Sequence, residues 1–212
     1  MNKSHKIKFL SVLILSIFIL TWTFQIAVLH MEPLLDQLTQ PFVPLFEHTI
    51  VYTFFANITV LGSKSWLIPF VIIMSVCFIF LFRSIIPTAV LVSAIISSHL
   101  LNRGIKLIIQ RERPSIEPTL DAVGFSFPSG HAMVPIVCYL LVAYFLTKKW
   151  QLDGVRHFIY IVAITFITLI GISRYIIHVH FLTDVMVGYG LGYMIYIAFV
   201  RLYEKSAEVF RK

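Results

Sequence analysis

The sequence predicts an all-α polytopic membrane protein. It has six transmembrane helices and an amphipathic extracytoplasmic segment between the first and second. Three observations carry this. The chain of 212 residues is 58% hydrophobic and 13% charged, with a mean hydropathy of +0.89. A soluble domain of this length needs far more charge on its surface. Apolar runs recur at about 7–29, 65–82, 85–109, 131–147, 155–172 and 183–203. At ~1.5 Å rise per residue, about 20 helical residues cross a ~30 Å hydrocarbon core. The basic residues do not form one patch but alternate between short loops and three motif positions. That pattern orients a membrane protein and is unlike the single basic patch of a nucleic-acid binder.

The first run follows Lys3, Lys6 and Lys8. A signal peptide is the competing reading, but no small-x-small cleavage site follows, so a retained helix is expected. Residues 30–64 break the pattern with Pro33, Pro41, Pro44, Glu32, Asp36 and Glu47 among many aromatics. Amphipathic helices lying in the membrane interface are expected there, either as a lid or as a plain connector. The 131–147 run is short and needs helical flanks to span. Cys77 and Cys138 lie in separate apolar runs, so buried free thiols are expected, without a disulfide framework or metal spacing. Residues 1–212 read as one domain, with a motif-bearing core at about 60–205.

Charge sets the expected orientation. With both termini cytoplasmic, only Lys64, Arg103, Lys106, Arg111, Arg113 and Arg174 fall outside the cytoplasmic segments. That leaves eleven of the 17 basic residues inside, Arg211 and Lys212 among them. The end of the third run, the start of the fourth and the link between the fifth and sixth then share the extracytoplasmic face.

Polar groups concentrate at those three places. Residues 173–184 read Ser-Arg-Tyr-Ile-Ile-His-Val-His-Phe-Leu-Thr-Asp. If the helix begins near 180, His180 and Asp184 share one face. A carboxylate beside an imidazole fixes its tautomer and supports a nucleophile or general base. Arg174 suits an oxyanion, because its planar fork binds two oxygens at once. An Arg–Asp pair at a helix end beside an interfacial histidine is the plain alternative. Pro128-Ser129-Gly130-His131 stands where the fourth span begins. Ser129 is a good N-cap, and unpaired amides at a helix start favour an anion. On the third span, His99, Arg103, Lys106, Gln110 and Arg113 follow steps of four and three. This predicts one helical stripe facing the bundle interior. Structural pairing is the expectation for His99 and Arg103, and solvated charges for Arg111 and Glu112. His178-Val179-His180 resembles a metal pair, but no third ligand is evident. His178 is read as an incidental interfacial histidine.

Lys106-x6-Arg113-Pro114, Pro128-Ser129-Gly130-His131 and Ser173-Arg174-x5-His180-x3-Asp184 resemble the three signature motifs of the type 2 phosphatidic acid phosphatase superfamily, in order. The resemblance covers about residues 60–205. The layout is similar to its small bacterial membrane lipid phosphatases of the phosphatidylglycerophosphate phosphatase B type, in which a small residue is more usual at position 178. The resemblance implies catalytic roles for three residues: His180 as nucleophile, Asp184 holding its ring, and His131 as general acid and then base. It implies that Lys106, Arg113, Ser129, Gly130 and Arg174 bind the phosphoryl oxygens. No metal and no cofactor is expected, since protein cations supply the charge and no carboxylate cluster suggests Mg²⁺.

The expected substrate is a membrane lipid phosphate, phosphatidylglycerophosphate first. Undecaprenyl pyrophosphate and phosphatidic acid are the alternatives. A lipid phosphotransferase and a non-catalytic lipid transporter are the alternatives of a different class. The bilayer is the expected surrounding, nucleic acid is not expected as a partner, and the oligomeric state stays open.

Overall fold

The structure is a computed structural model and describes residues 3–114, 124–150 and 153–209. Arg211 and Lys212 lie outside the described residues. The helices are α1 (Lys3–Ala27), α2 (Leu34–Thr39), α3 (Ile50–Ile58), α4 (Lys64–Phe82), α5 (Ile86–Ile109), α6 (Gly130–Lys149), α7 (Asp153–Ile176) and α8 (Leu182–Val209). Short 3₁₀ turns cover Gln40–Phe46 and Thr59–Gly62.

Each expected apolar run is a helix, within a few residues of its expected ends. Helices α4 to α8 are long and apolar enough to cross a membrane. The first expected run is α1, whose apolar stretch is Leu13–Ala27. The ends have local causes. Pro87 sits in the first turn of α5, where its missing N–H costs nothing. Arg83 and Gln110 adopt left-handed backbone at the ends of α4 and α5. Lys148 and Lys149 close α6, where positive charge suits the helix dipole.

Helix α6 is the centre of the bundle. Of its most apolar stretch 72% is buried, against at most 28% for the other long helices. The remaining helices therefore present most of their apolar surface outward, as a lipid-embedded ring does. Small residues let α8 lie close to α6. A Cβ at Gly188 would stand 2.7 Å from the Ser129 carbonyl oxygen, and one at Gly192 would stand 2.6 Å from that of Met133. This approach brings the first turns of α6 and α8 together.

Residues 30–64 are more than a connector. They are tied to α6, α7 and α8 by polar contacts. The Tyr175 hydroxyl donates to the Thr39 carbonyl at 2.5 Å. Tyr139 donates to the Leu61 carbonyl at 2.9 Å. Asp36 is fully buried. Leu34, Leu38, Phe42 and Leu45 point outward, which gives the expected amphipathic character. One expectation fails: Cys138 is buried, but Cys77 is exposed on α4.

Candidate active site

The site begins with the way α7 stops. His178 adopts left-handed backbone (φ 60°), and the chain reverses there. The Val179 and His180 N–H groups both donate to the Arg174 carbonyl, at 3.2 and 3.1 Å. Left-handed backbone favours glycine, in line with the small residue that the resemblance implies here. Here a histidine tolerates it. Burial lowers the His178 pKa from its ordinary value.

This turn, rather than a helix face, delivers His180 to Asp184. Helix α8 starts at Leu182, so His180 precedes it, and the expectation of a shared helical face is corrected. The two side chains still meet, with Nδ1 3.4 Å from Asp184 Oδ2. Asp184 also accepts from the Phe181 N–H at 3.1 Å. That is the backward half of a capping box, since an acidic side chain three positions into the helix satisfies the cap amide.

His180 Nε2 lies 3.1 Å from Arg113 Nη1. A guanidinium can only donate, so Nε2 must be the unprotonated acceptor and Nδ1 must carry the proton. Nδ1 in turn faces Asp184 Oδ2 and, at 3.3 Å, Ser126 Oγ. Ser126 Oγ donates a short bond to the same carboxylate oxygen. The His180 pKa is held well below its ordinary value by burial first, and then by the charges of Arg113, Lys106 and Arg174. The ring is therefore neutral, with its lone pair on Nε2.

Asp184 is itself clamped. Arg111 Nη1 donates to Oδ1 at 2.6 Å, and Arg111 Nη2 donates to Asp36 Oδ2 at 2.9 Å. Asp36 also accepts from the Thr183 N–H at 2.9 Å and the Thr183 hydroxyl at 2.5 Å. Two carboxylates thus satisfy the open amides of α8, and one guanidinium bridges them. The Arg111 guanidinium also stacks over the Phe181 ring at 3.7 Å. The expectation that Arg111 is a solvated charge is corrected: its side chain is 10% exposed and doubly paired. Glu112 is exposed, as expected. Asp36, Arg111 and Ser126 were missed by sequence reasoning.

The start of α6 forms the opposite wall. Ser129 is its N-cap, and the Ser129 N–H donates to the Asp184 carbonyl at 3.0 Å. Ser129 Oγ is buried without a hydrogen-bond partner among the described residues. Asn102 donates to the Pro128 carbonyl at 3.1 Å and fixes this turn from α5. A Cβ at Gly130 would stand 3.1 Å from Asn102 Oδ1, so glycine permits the contact.

The expected stripe on α5 is corrected in part. The helix ends at Ile109, because Pro114 disfavours helical backbone at Arg113 and Gln110 turns left-handed. Arg113 reaches the site from the following loop, donating to the Gly124 and Val179 carbonyls at 2.8 and 2.7 Å. The Gln110 side chain donates to the carbonyl of Leu107 at 3.1 Å, on its own helix. Lys106 Nζ donates to the Phe125 carbonyl, and to that of Ser126 at 3.3 Å.

A cavity of about 360 Å³ opens between these walls. His180, His131, Gly130, Arg113 and Lys106 line it, so five of the eight expected site residues share one space. Ser129 and Asp184 stand behind that lining. Arg174 does not line the cavity: it is fully buried, and its Nη1 donates to Thr59 Oγ1 at 2.8 Å. His99 and Arg103 are exposed and line the same cavity. Neither has a hydrogen-bond or ion-pair partner among the described residues, so the expected structural pairing is not seen there.

A neutral imidazole lining a cavity together with Lys106 and Arg113 is an arrangement suited to a bound oxyanion. Residues 87–208 match the PAP2 superfamily, which is more than half of the chain, and the chain belongs to that superfamily. It is 34% identical over 157 residues to phosphatidylglycerophosphatase B of Bacillus subtilis (strain 168), covering 74% of this chain and 76% of the relative. The fold is similar to the crystal structure of a transmembrane PAP2-type phosphatidylglycerolphosphate phosphatase from Bacillus subtilis. The TM-score is 0.81 at 30% identity, covering 92% of this chain and 96% of that one. It also resembles Aquifex aeolicus LpxE in fold, with a TM-score of 0.56 at 24% identity over 76% of this chain and 94% of that one.

Proposed function

We propose that the chain is a membrane lipid phosphatase that converts phosphatidylglycerophosphate to phosphatidylglycerol through a phosphohistidine. The observation that carries this is the His180 geometry: Nδ1 faces Asp184, Nε2 lies 3.1 Å from Arg113 Nη1, the ring lines the cavity, and the pKa is low. The substrate follows the Bacillus subtilis relatives.

In the first step Nε2 attacks phosphorus. The P–N bond forms as the P–O bond to the lipid glycerol breaks, and His131 gives a proton to the leaving oxygen. The ring becomes cationic, and Asp184 stabilises it through Nδ1–H. In the second step His131 takes a proton from water, which attacks phosphorus. The P–N bond breaks, inorganic phosphate leaves, and Nε2 regains its lone pair. Lys106, Arg113 and the amides at Gly130 hold the equatorial oxygens. Ser129 Oγ is a donor reserved for one of them, since a buried unpaired hydroxyl otherwise costs about 1–3 kcal/mol. Arg174 acts from behind the lining through its charge. Arg113 exchanges its contact with Nε2 for a phosphoryl oxygen when substrate binds.

Charge supplied by these side chains makes the reaction metal-independent. Helix α1 is the sixth span, both termini are cytoplasmic, and the cavity and residues 30–64 lie at the extracytoplasmic face, as the positive-inside count favours.

The test is phosphate release by the purified protein in detergent with EDTA. Phosphatidylglycerophosphate, undecaprenyl pyrophosphate and phosphatidic acid are offered in parallel, with His180→Ala as control. Release that survives EDTA and vanishes in the variant is expected, fastest with phosphatidylglycerophosphate. Release untouched by the variant would contradict the mechanism, and a different ranking would change the substrate.

A further inference from the structure

The cavity holds more positive charge than one phosphoryl group needs. Besides Lys106 and Arg113, its lining includes Lys64 at the start of α4, and His99 and Arg103 on α5. All three are exposed and without a hydrogen-bond or ion-pair partner among the described residues. Lys64 and Arg103 both act electrostatically on the His99 ring, so the three are neighbours. Like charges brought together without a carboxylate are destabilising, and in a membrane-spanning helix they are costly. A surrounding that gathers them, with no counter-charge on them among the described residues, is suited to an anionic ligand.

Helix geometry gives the spacing. Arg103 is one turn from Lys106, ~4.5 Å along the axis, and His99 is two turns away, ~10 Å. Lys106 and Arg103, with the His99 ring below them, form a ladder running from the phosphoryl site toward the middle of α5. A substrate with one phosphate fills only the top rung.

We infer that Lys64, His99 and Arg103 form a second anion subsite, which binds a second phosphate group on the non-leaving side of the substrate. This rests on the phosphatase reading above and deepens it. In phosphatidylglycerophosphate the second group is the phosphodiester, one glycerol unit from the reacting phosphate. In a prenyl pyrophosphate it is the inner phosphate, bonded directly to the reacting one. Phosphatidic acid has none. The subsite therefore selects lipids with two phosphates over lipids with one. Arg103 supplies the fork that binds two oxygens, Lys64 adds a mobile point charge, and His99 marks the far end.

The experiment measures kcat/KM of the purified enzyme in mixed micelles for the same three lipids. The variants are Arg103→Gln, Lys64→Gln and His99→Gln, and the readout is each variant's two-phosphate to one-phosphate ratio. Arg103→Gln is expected to lower the phosphatidylglycerophosphate to phosphatidic acid ratio about tenfold, the scale of one lost charge-assisted contact. His99→Gln is expected to penalise phosphatidylglycerophosphate more than undecaprenyl pyrophosphate, which identifies the phosphodiester as the occupant. The reverse order identifies the inner phosphate. The side chains are exposed, and should the arginine variant fail to fold, Lys64→Gln reads the same ratio. Equal losses on all three lipids, or none, would overturn the subsite and leave a general lipid-facing charge. Wild-type enzyme that releases phosphate from none of them would overturn the phosphatase reading and the subsite with it.

Discussion

The two sides of the cavity are built on opposite rules. On the α8 side every charge is buried and answered. Asp36, Arg111, Asp184 and Ser126 interlock by short contacts, and His180 ends the network. On the α4–α5 side Lys64, His99 and Arg103 are exposed and unanswered among the described residues. The first wall holds a ring in one tautomer and one place. The second leaves its cations for a ligand. On the proposed reading, the first wall fixes the nucleophile and the second selects by what the lipid carries beyond the phosphoryl group.

Breaking the closed side should have the largest effects. His180→Ala removes the nucleophile and should lower kcat about 10⁶-fold, the scale of removing such a group in a hydrolase. Burst kinetics with an aryl phosphate should then lose their first phase. Asp184→Asn keeps the shape but loses the charge that stabilises the cationic ring. A fall in kcat of roughly 10³–10⁴-fold, with little change in KM, is expected by analogy with the serine protease triad.

Arg111→Ala leaves two buried carboxylates without their bridge. Thermal unfolding in detergent should show a loss of about 3–5 kcal/mol. Asp36→Asn should lower kcat about tenfold by loosening Asp184, again on the scale of one charge-assisted bond. The effect should be smaller than that of Arg111→Ala, because the amide still accepts from Thr183.

The smallest effect is one of pH. Burial, then Arg113, Lys106 and Arg174, hold the His180 pKa well below the ordinary 6.5. The native state therefore resists the proton that the unfolded state accepts. The sign follows: this group costs no stability above the unfolded value and destabilises the fold progressively as pH falls below it. Carbon-labelled histidine NMR should find the ring still neutral at pH 6.5. A half-protonated ring there would mean that Asp184, and not the cations, dominates its surroundings.

Much of this was legible in the sequence, for identifiable reasons. The spans are visible because apolar runs of that length have few alternatives. Lys106, Gly130, His131 and His180 stand out because they fall in motifs that resemble the superfamily's signatures, and the structure gathers them around one cavity. Arg111 was misread because its partners are 75 and 73 residues away, and no local pattern marks such a pair. The stripe was carried too far for the opposite reason: Pro114 was in plain view, and the residue before a proline rarely stays helical. His180 and Asp184 were rightly paired on a wrong premise. A reversal at His178, rather than helical periodicity, brings them together.

The central claim is that His180 Nε2 carries the phosphoryl group. It is tested most directly in His131→Ala, using a lipid phosphate analogue with an aryl leaving group that needs no acid to depart. The first step should then proceed and the second stall. After an alkaline quench, mass spectrometry should find one phosphoryl group on the peptide containing His180. A label on any other residue, or inorganic phosphate released with His180 never labelled, would contradict the account.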